Sequence, residues 1–178
     1  DVPSQPTFYD VKKDGKMIKA LAQTTKMGFV FLLNRETGEP IFPIEERDVP
    51  QGAVEGDYVT KTQPFPTKPK PLTPTYLDPD DVFGFTPWDR GYCKKAAQDL
   101  RNEGLYTPPS LEGSVHYPSA IGGANWGGPA IDYSRNILIA NTMNLSSTIV
   151  MVPRSECDKA LKELARDSVQ SRFSALQQ

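Results

Sequence analysis

The chain has few of the side chains from which metal centres and nucleophilic sites are built. It contains one histidine, His116, and two cysteines, Cys93 and Cys157. A single histidine excludes a multi-histidine metal centre, and the cysteines lie far apart without the spacing of metal ligands. A lone histidine beside Tyr117 and Pro118 is more often structural than catalytic. We therefore predict no metal ligands in the chain and assign His116 no catalytic role.

Positive charge and long apolar runs are lacking as well. The 20 basic and 22 acidic residues leave a net charge of −2, whereas nucleic-acid binding needs a concentrated basic face. Because no run of about 18 apolar residues occurs, we expect no membrane span and a chain that is itself soluble. The chain begins at Asp1 without an initiator methionine or an apolar leader, which indicates a segment of a longer or processed polypeptide.

Two segments of the sequence repeat a pattern of strand, polar turn and strand. The runs and turns lie at residues 18–22, 28–33, 34–38 and 40–44 in the first segment and at 129–132, 133–136 and 137–141 in the second. The first segment predicts a short antiparallel meander, and residues 148–152 add a further strand. Recurring units of this size are typical of β-propeller blades. We predict a mainly β fold in which residues 1–152 form about two or three partial blades.

A proline-rich insertion, residues 49–113, separates the two segments. Proline fixes φ and removes a hydrogen-bond donor, and residues 63–80 contain several prolines. We expect this stretch to be extended, and to form neither a helix nor an inner strand.

Two helices are predicted from capping residues and spacing. Thr86 offers an N-cap hydroxyl, with Pro87 at the first helical position and Asp89 at the third. Gly104 offers a stop for this helix. The second helix forms a C-terminal tail, residues 153–178, which either docks on the surface or frays. The apolar faces are expected to consist of Tyr92, Cys93, Ala96, Ala97 and Leu100 in the first helix and of Cys157, Leu161, Leu164, Ala165 and Val169 in the second.

Two places in the sequence suit a bound flat cofactor. The glycines of residues 122–128 flank Asn125 and Trp126, and glycine lets a backbone approach a flat surface closely. From the residues alone, Trp126 is equally well a packing residue whose indole N–H meets a carbonyl. Lys26 precedes Gly28 at a strand boundary, where its ammonium group can point inward. Spacing alone favours an exposed turn lysine there.

Several stretches of the chain match, in order, the motifs of a known family. They are residues 25–38, 49–52, 56–60, 62–65, 103–109, 122–128 and 139–141. Together they resemble the membrane-bound quinoprotein glucose dehydrogenases, over roughly the first 150 residues. The resemblance implies an eight-bladed propeller that holds pyrroloquinoline quinone (PQQ) and a divalent cation, calcium or magnesium.

The resemblance also implies a reaction and a location. Members of the family oxidise glucose to gluconolactone, or use quinate or shikimate, at the periplasmic face of the bacterial inner membrane. N-terminal membrane helices of the parent protein pass the electrons to ubiquinone. The expected partners are therefore PQQ, a metal ion held by other parts of the parent, glucose or a related polyol, and ubiquinone. An isolated segment is expected to be inactive, and its open strand edges have to be covered by another copy of the chain, by the C-terminal tail or by the proline-rich stretch.

Four residues take expected roles from the resemblance. Lys26 corresponds to the lysine at the reactive carbonyl of the quinone, where an ammonium group stabilises negative charge on oxygen. Asn141 corresponds to an asparagine that contacts the cofactor, and Asn125 and Trp126 lie at its rim. Asn125 stands where some glucose enzymes carry an acid, which leaves the substrate open. The family's aspartate base is expected just before Asp1.

One alternative function remains at this stage. The chain is then a noncatalytic propeller or scaffold segment that keeps the strand pattern and has lost the cofactor. The two functions differ in one observable property, which is the presence of quinone in the parent protein.

Overall fold

The computed structural model describes the backbone of residues 1–175 and the side chains of residues 1–166. This part of the chain contains eleven strands and two α-helices. In chain order they are β1 (Thr7–Phe8), β2 (Val11–Lys13), β3 (Lys16–Ile18), β4 (Ala20–Thr24), β5 (Val30–Asn34), β6 (Ile44–Asp48), β7 (Thr62–Pro66), α1 (Pro87–Asp99), β8 (Ser114–His116), β9 (Pro129–Asp132), β10 (Ile137–Ala140), β11 (Ser147–Ile149) and α2 (Arg154–Ala175). Among the described residues, neither helix has the length and apolarity needed to cross a membrane.

A three-stranded antiparallel sheet, in the order β1-β4-β5, lies at the centre of the fold. Burial alternates along β4 and along the first half of β5. Because successive strand side chains point to opposite faces, this alternation places one face of the hairpin on the core. The buried core cluster consists of Val11, Ala20, Ala22, Val30, Leu32 and Ile41.

The predicted meander is confirmed for two of its strands and wrong for the third. The apolar runs at residues 18–22 and 28–33 lie largely in β4 and β5, which pair as a hairpin. Residues 40–43 contribute a single isolated bridge, between Pro40 and Leu33, and Ile44 begins β6, which pairs with β7 and not with β5. Proline has no N–H to donate to a strand ladder, which accounts for the short pairing. The third strand is β1, on the opposite side of β4.

The second predicted hairpin, within residues 129–141, is confirmed by the antiparallel pairing of β9 and β10. It lies beside the central sheet, because the Tyr9 hydroxyl donates to the carbonyl of Asn136 over 2.9 Å. The strand predicted at 148–152 overlaps β11, which pairs with β8 and not with the hairpin. The predicted mainly β fold agrees with this arrangement, while the number of blades stays a prediction.

A strand ribbon joins the proline-rich insertion to the residues just before it, and its second strand contains Pro64 and Pro66. β6 and β7 pair antiparallel, with Glu46 opposite Pro64 and Ile44 opposite Pro66. Since β7 has a strand neighbour on one side only, it is not an inner strand, as predicted. The expectation that residues 63–80 lack any helix is wrong at their end, where a short 3-10 helix spans Pro79–Asp81.

The first predicted helix is confirmed as α1. The Asp89 N–H donates to Oγ1 of Thr86 over 3.2 Å, and the Thr86 N–H donates to Oδ2 of Asp89 over 3.2 Å, which completes a capping box. The helix ends before the predicted stop at Gly104. The predicted apolar face of α1 is only partly covered in the described structure, since Ala97 is buried but Tyr92 is 77% exposed.

The second predicted helix is confirmed as α2. Cys157 is partly buried, whereas Leu161 and Leu164 are exposed. The described side chains of α2 therefore do not form the buried face that docking of this helix on the surface would require. The side chain of Val169 and residues 176–178 of the predicted tail lie outside the described part of the chain.

Candidate functional site

Lys26 lies in the tight turn that joins β4 to β5. The Gly28 N–H donates to the carbonyl of Thr25 over 3.0 Å, and the Thr25 N–H donates to the carbonyl of Phe29 over 3.0 Å. The hydroxyl of the fully buried Thr25 accepts the Phe29 N–H over 3.1 Å. Gly28 has a φ of +79°, a left-handed conformation that glycine adopts without strain. The turn is therefore held by its own hydrogen bonds, with Lys26 at its corner.

The glycine-rich residues 122–128, called the glycine tract below, pack directly against this turn. The Gly123 N–H donates to the carbonyl of Lys26 over 2.7 Å. A β-carbon on Gly122 would lie 2.4 Å from Cγ of Lys26, so only a residue without one fits there. Both glycines are buried. Gly122 and Gly123, at the start of the predicted glycine-rich stretch, therefore support Lys26. Their backbone contacts join residues that lie almost one hundred positions apart in the sequence.

The Lys26 side chain lines a cavity of about 390 Å³, referred to below as the lysine cavity. Further walls come from Met27, from residues 104–107 and from residues 115–120. Nζ of Lys26 lies 2.8 Å from Oδ2 of Asp1, in an ion pair whose lysine side chain is 25% exposed and whose aspartate is 62% exposed. The arrangement places a largely covered cation in the wall of a cavity.

Two uncharged side chains in the wall of the lysine cavity were not assigned a role from sequence. Burial lowers the pKa of the His116 imidazole below its ordinary value of 6.5, so His116 is neutral at pH 7. Its Nε2 is buried without a hydrogen-bond partner. Burial raises the pKa of the Tyr106 phenol, which stays protonated. Neither residue is near Lys26 in sequence, so no local pattern could have placed them together.

The other predicted site residues lie in different surroundings. Asn125 is partly buried, and its Oδ1 is enclosed without a hydrogen-bond partner. Trp126 is 76% exposed and lines a second cavity, of about 530 Å³, together with Phe8 and Tyr133. Asn141 is exposed and is not part of the lysine cavity wall. Of the four predicted residues, the structure thus places Lys26 alone in this wall.

The described residues do not form a metal site by themselves. No group of three or more histidine, cysteine, aspartate or glutamate side chains that could hold a metal ion occurs among them. The chemistry that the lysine cavity offers is electrostatic: a positioned ammonium group stabilises negative charge on an oxygen atom brought next to it.

Comparison with known proteins identifies the class to which this fold and cavity belong. The PQQ family model described as the β-propeller domain of glucose, ethanol and alcohol dehydrogenases matches residues 1–178. The chain belongs to this family of quinoprotein propellers. No solved structure gave a significant match.

Individual relatives match most of the chain. The quinoprotein glucose dehydrogenase of Gluconobacter oxydans is 42% identical over 86% of the chain, and that of Escherichia coli is 38% identical over 86%. The quinate/shikimate dehydrogenase (quinone) of Acinetobacter baylyi is 29% identical over 99%. The chain spans about a fifth of the length of these relatives, covering 19%, 19% and 22% of them respectively.

The residues of the lysine cavity fit one end of PQQ, which is a planar quinone with carboxylate groups. Quinone oxygens need hydrogen-bond donors or cations, and Lys26 supplies a cation at the cavity wall. The glycine tract that packs on Lys26 leads to Asn125, whose buried Oδ1 lacks a partner. Lys26 would hold the quinone oxygens, and the rest of the group would need partners from outside this chain.

Proposed function

We propose that the chain is a segment of a PQQ-dependent dehydrogenase that oxidises glucose, or a related polyol, to the lactone and passes the electrons to ubiquinone. The observation that carries this proposal is the Lys26 ammonium group in the wall of the lysine cavity. PQQ, when bound, supplies the two-electron acceptor for hydride that leaves the substrate carbon. The chain supplies the electrostatic environment of that step.

Lys26 is proposed as the catalytic residue of the chain. Its ammonium group stabilises negative charge as the charge forms on a neighbouring oxygen atom. The turn hydrogen bonds and the packing of Gly122 fix the lysine stem before the reaction, so little reorganisation is needed. His116 and Tyr106 are uncharged at pH 7. Lys26, in its ion pair with Asp1, is therefore a charged side chain of the cavity wall next to two neutral ones.

The proposal extends to the substrate and to the remaining parts of the reaction centre. Relatives are named for glucose, for quinate or shikimate and for glycerol. Asn125 carries an amide and cannot exchange a proton, so we propose that the base and the calcium or magnesium ion are held by other parts of the parent protein. We further propose that Asn141 hydrogen-bonds to the cofactor, that Asn125 and Trp126 lie at its rim, and that the reaction takes place at the periplasmic face of the inner membrane.

The isolated 178-residue chain is proposed to be inactive and to self-associate. Within the described part of the chain, the two-stranded sheets leave strand edges without a neighbour, and such edges pair readily with other chains. Sedimentation velocity at increasing concentration tests this point. A single monomer boundary at all concentrations would contradict it.

A noncatalytic propeller segment is the second candidate function. The observation that favours it is the position of Trp126 and Asn141, which do not line the lysine cavity. In this case the parent protein has the strand pattern of the family but no bound quinone.

Reconstitution of the full-length parent protein distinguishes the two functions. The protein is incubated with PQQ and calcium or magnesium, freed of unbound cofactor and examined for quinone absorbance. Turnover is then measured with glucose, quinate and glycerol, in the presence of an electron acceptor. Stoichiometric quinone and substrate-dependent turnover support the dehydrogenase. A protein that retains no quinone supports the noncatalytic segment.

A further inference from the structure

A threonine of the proline-rich insertion lies behind the turn that carries the candidate catalytic lysine. Thr73 is 5% exposed, although the insertion around it is largely at the surface. The preceding residue, Leu72, donates its N–H to the carbonyl of Gly28 over 2.8 Å. The insertion is thus attached to the turn between β4 and β5 by its backbone, and Thr73 is the first side chain beyond that attachment.

The Thr73 hydroxyl oxygen occupies the space between two glycines. A β-carbon on Gly28 would lie 2.3 Å from Oγ1 of Thr73, and one on Gly123 would lie 2.6 Å from the same atom. The β-carbon of Gly123 would also lie 3.0 Å from Cα of Gly28, so the two backbones are in close contact. The oxygen therefore fills the gap that the two missing side chains leave.

Both glycines make backbone hydrogen bonds that hold the turn of Lys26 in place. Gly28 closes the turn in which Lys26 stands, through its hydrogen bond to the carbonyl of Thr25. Gly123 donates its N–H to the Lys26 carbonyl over 2.7 Å. A shift of the atom between these glycines must move the lysine turn, the glycine tract or both.

The Thr73 hydroxyl is buried and has no hydrogen-bond partner among the described residues. Its close fit between Gly28 and Gly123 is a steric contribution to the site. A hydroxyl oxygen is smaller than a methyl group, so valine, which has the same branching, is too large for the gap. Serine keeps the oxygen and removes only the methyl group on the other branch.

We infer that Thr73 is a positioning residue for Lys26: its hydroxyl oxygen sets the distance between the lysine turn and the glycine tract. The inference rests on the proposed function, since it assigns Thr73 a task only if Lys26 acts in the reaction. It adds a second part of the proline-rich insertion to the reaction centre, beside residues 104–107 of the cavity wall.

The test uses the full-length parent protein loaded with quinone and metal. Thr73→Val, Thr73→Ala and Thr73→Ser are compared with Thr75→Val, a matched control two residues further along the insertion. We expect kcat to fall about tenfold to a hundredfold in Thr73→Val, because misplacement of a reacting group by about 1 Å has effects of this size. Thr73→Ala, which empties the gap, is expected to change kcat in the same direction, and KM stays within about twofold. Thr73→Ser and the control keep wild-type kcat.

A double-mutant cycle separates positioning from general structural damage. In a Lys26→Ala background, Thr73→Val has no further effect on kcat if Thr73 acts through Lys26. A second readout, independent of turnover, is acetylation of lysines in the quinone-free protein, followed by mass spectrometry. We expect Lys26 to react severalfold faster in Thr73→Val than in wild type, relative to Lys61, because its amine leaves the cavity wall.

The outcomes distinguish this inference from the function on which it rests. If Lys26→Ala keeps full activity, the proposed role of Lys26 fails, and the positioning role fails with it. If Lys26→Ala is inactive but Thr73→Val and Thr73→Ala keep wild-type kcat, the positioning inference alone is overturned. It is also overturned if Thr73→Val lowers residual activity equally in both backgrounds, or leaves Lys26 acetylation unchanged. If Thr73→Val does not fold, a lowered kcat in Thr73→Ala supports the inference, and a wild-type kcat in Thr73→Ala overturns it.

Discussion

The backbone of Gly122 lies against the side chain of Lys26, so closely that a β-carbon on the glycine would stand 2.4 Å from Cγ of the lysine. The same β-carbon would lie 2.6 Å from Cβ and 2.8 Å from Cα of Lys26. A rotation of the lysine side chain therefore cannot relieve the overlap. The aliphatic part of the Lys26 side chain is therefore held in place by the backbone of a glycine.

Gly122→Ala is expected to destabilise the fold by about 2 kcal/mol or more, because it adds overpacking to a left-handed backbone conformation. The φ of Gly122 is +87°. Turnover of the parent protein falls as well, since the lysine stem has to move. Chemical denaturation and steady-state kinetics measure the two effects.

Gly127→Ala is the matched control in the same tract. A β-carbon there would meet nothing within 4 Å, so stability and turnover are expected to stay near wild type. Equal effects of the two substitutions would show that the close packing at Lys26 has no special importance.

Stability is expected to fall as the pH drops below about 6.5, in part because of His116. Burial lowers the pKa of this imidazole in the folded protein. The unfolded state therefore binds a proton first, and stability is lost between the unfolded pKa of 6.5 and the lower folded value. Above that window both states are neutral and the histidine has no pH-dependent effect.

His116→Gln removes this titration and keeps a polar side chain. The difference in unfolding free energy between wild type and variant, measured from pH 7.5 to pH 5, is expected to change in favour of the variant as the pH falls. A difference that is independent of pH would contradict the buried, neutral state of His116.

Thr86→Ala is expected to weaken the N-terminus of α1 by about 1 kcal/mol, since it removes the N-cap hydroxyl of the capping box. Amide hydrogen exchange within Pro87–Asp99 measures the effect as faster exchange in the first turn. Thr86→Ser keeps the hydroxyl and should retain wild-type protection. Unchanged exchange in Thr86→Ala would mean that contacts other than the cap hold the helix.

Asn125→Asp is expected to change substrate preference in the parent protein. The side-chain oxygen Oδ1 of Asn125 is buried without a hydrogen-bond partner among the described residues, and a carboxylic acid at this position can exchange a proton whereas an amide cannot. We expect kcat/KM for glucose to rise relative to quinate and glycerol. Asn136→Asp, at an exposed turn, serves as the control. Unchanged ratios among the three substrates would remove Asn125 from the specificity argument.

The local parts of the fold could be predicted from sequence because their causes are local. The β4–β5 and β9–β10 hairpins follow from apolar runs and polar turns, and the start of α1 follows from Thr86, Pro87 and Asp89. The end of α1 could not be predicted. The N–H of Arg101 donates to the carbonyl of Gly113 over 3.1 Å, so a long-range pairing draws the chain out of the helix before Gly104.

Parts of the candidate site could be predicted, namely the glycine tract from its residues and Lys26 from the family resemblance. Lys26 came from its motif, because spacing alone favoured an exposed turn lysine. Its contacts with the glycine tract and with Thr73 join parts of the chain that are distant in sequence, and periodicity carries no information about such contacts. His116, at the end of β8, lines the lysine cavity because of where β8 packs in the fold. Periodicity does not predict that position either.

The most direct measurement is the rate of substrate-dependent quinone reduction in the full-length parent protein that carries Lys26→Ala, with Lys61→Ala as the control. Both variants are loaded to equal quinone content, so that the rate reports the reaction and not the binding. We predict that Lys26→Ala slows the reduction by about a hundredfold or more, the loss typical of a removed oxyanion-stabilising group, and that Lys61→Ala reacts like wild type. A Lys26→Ala rate within about twofold of wild type would contradict the role of this lysine.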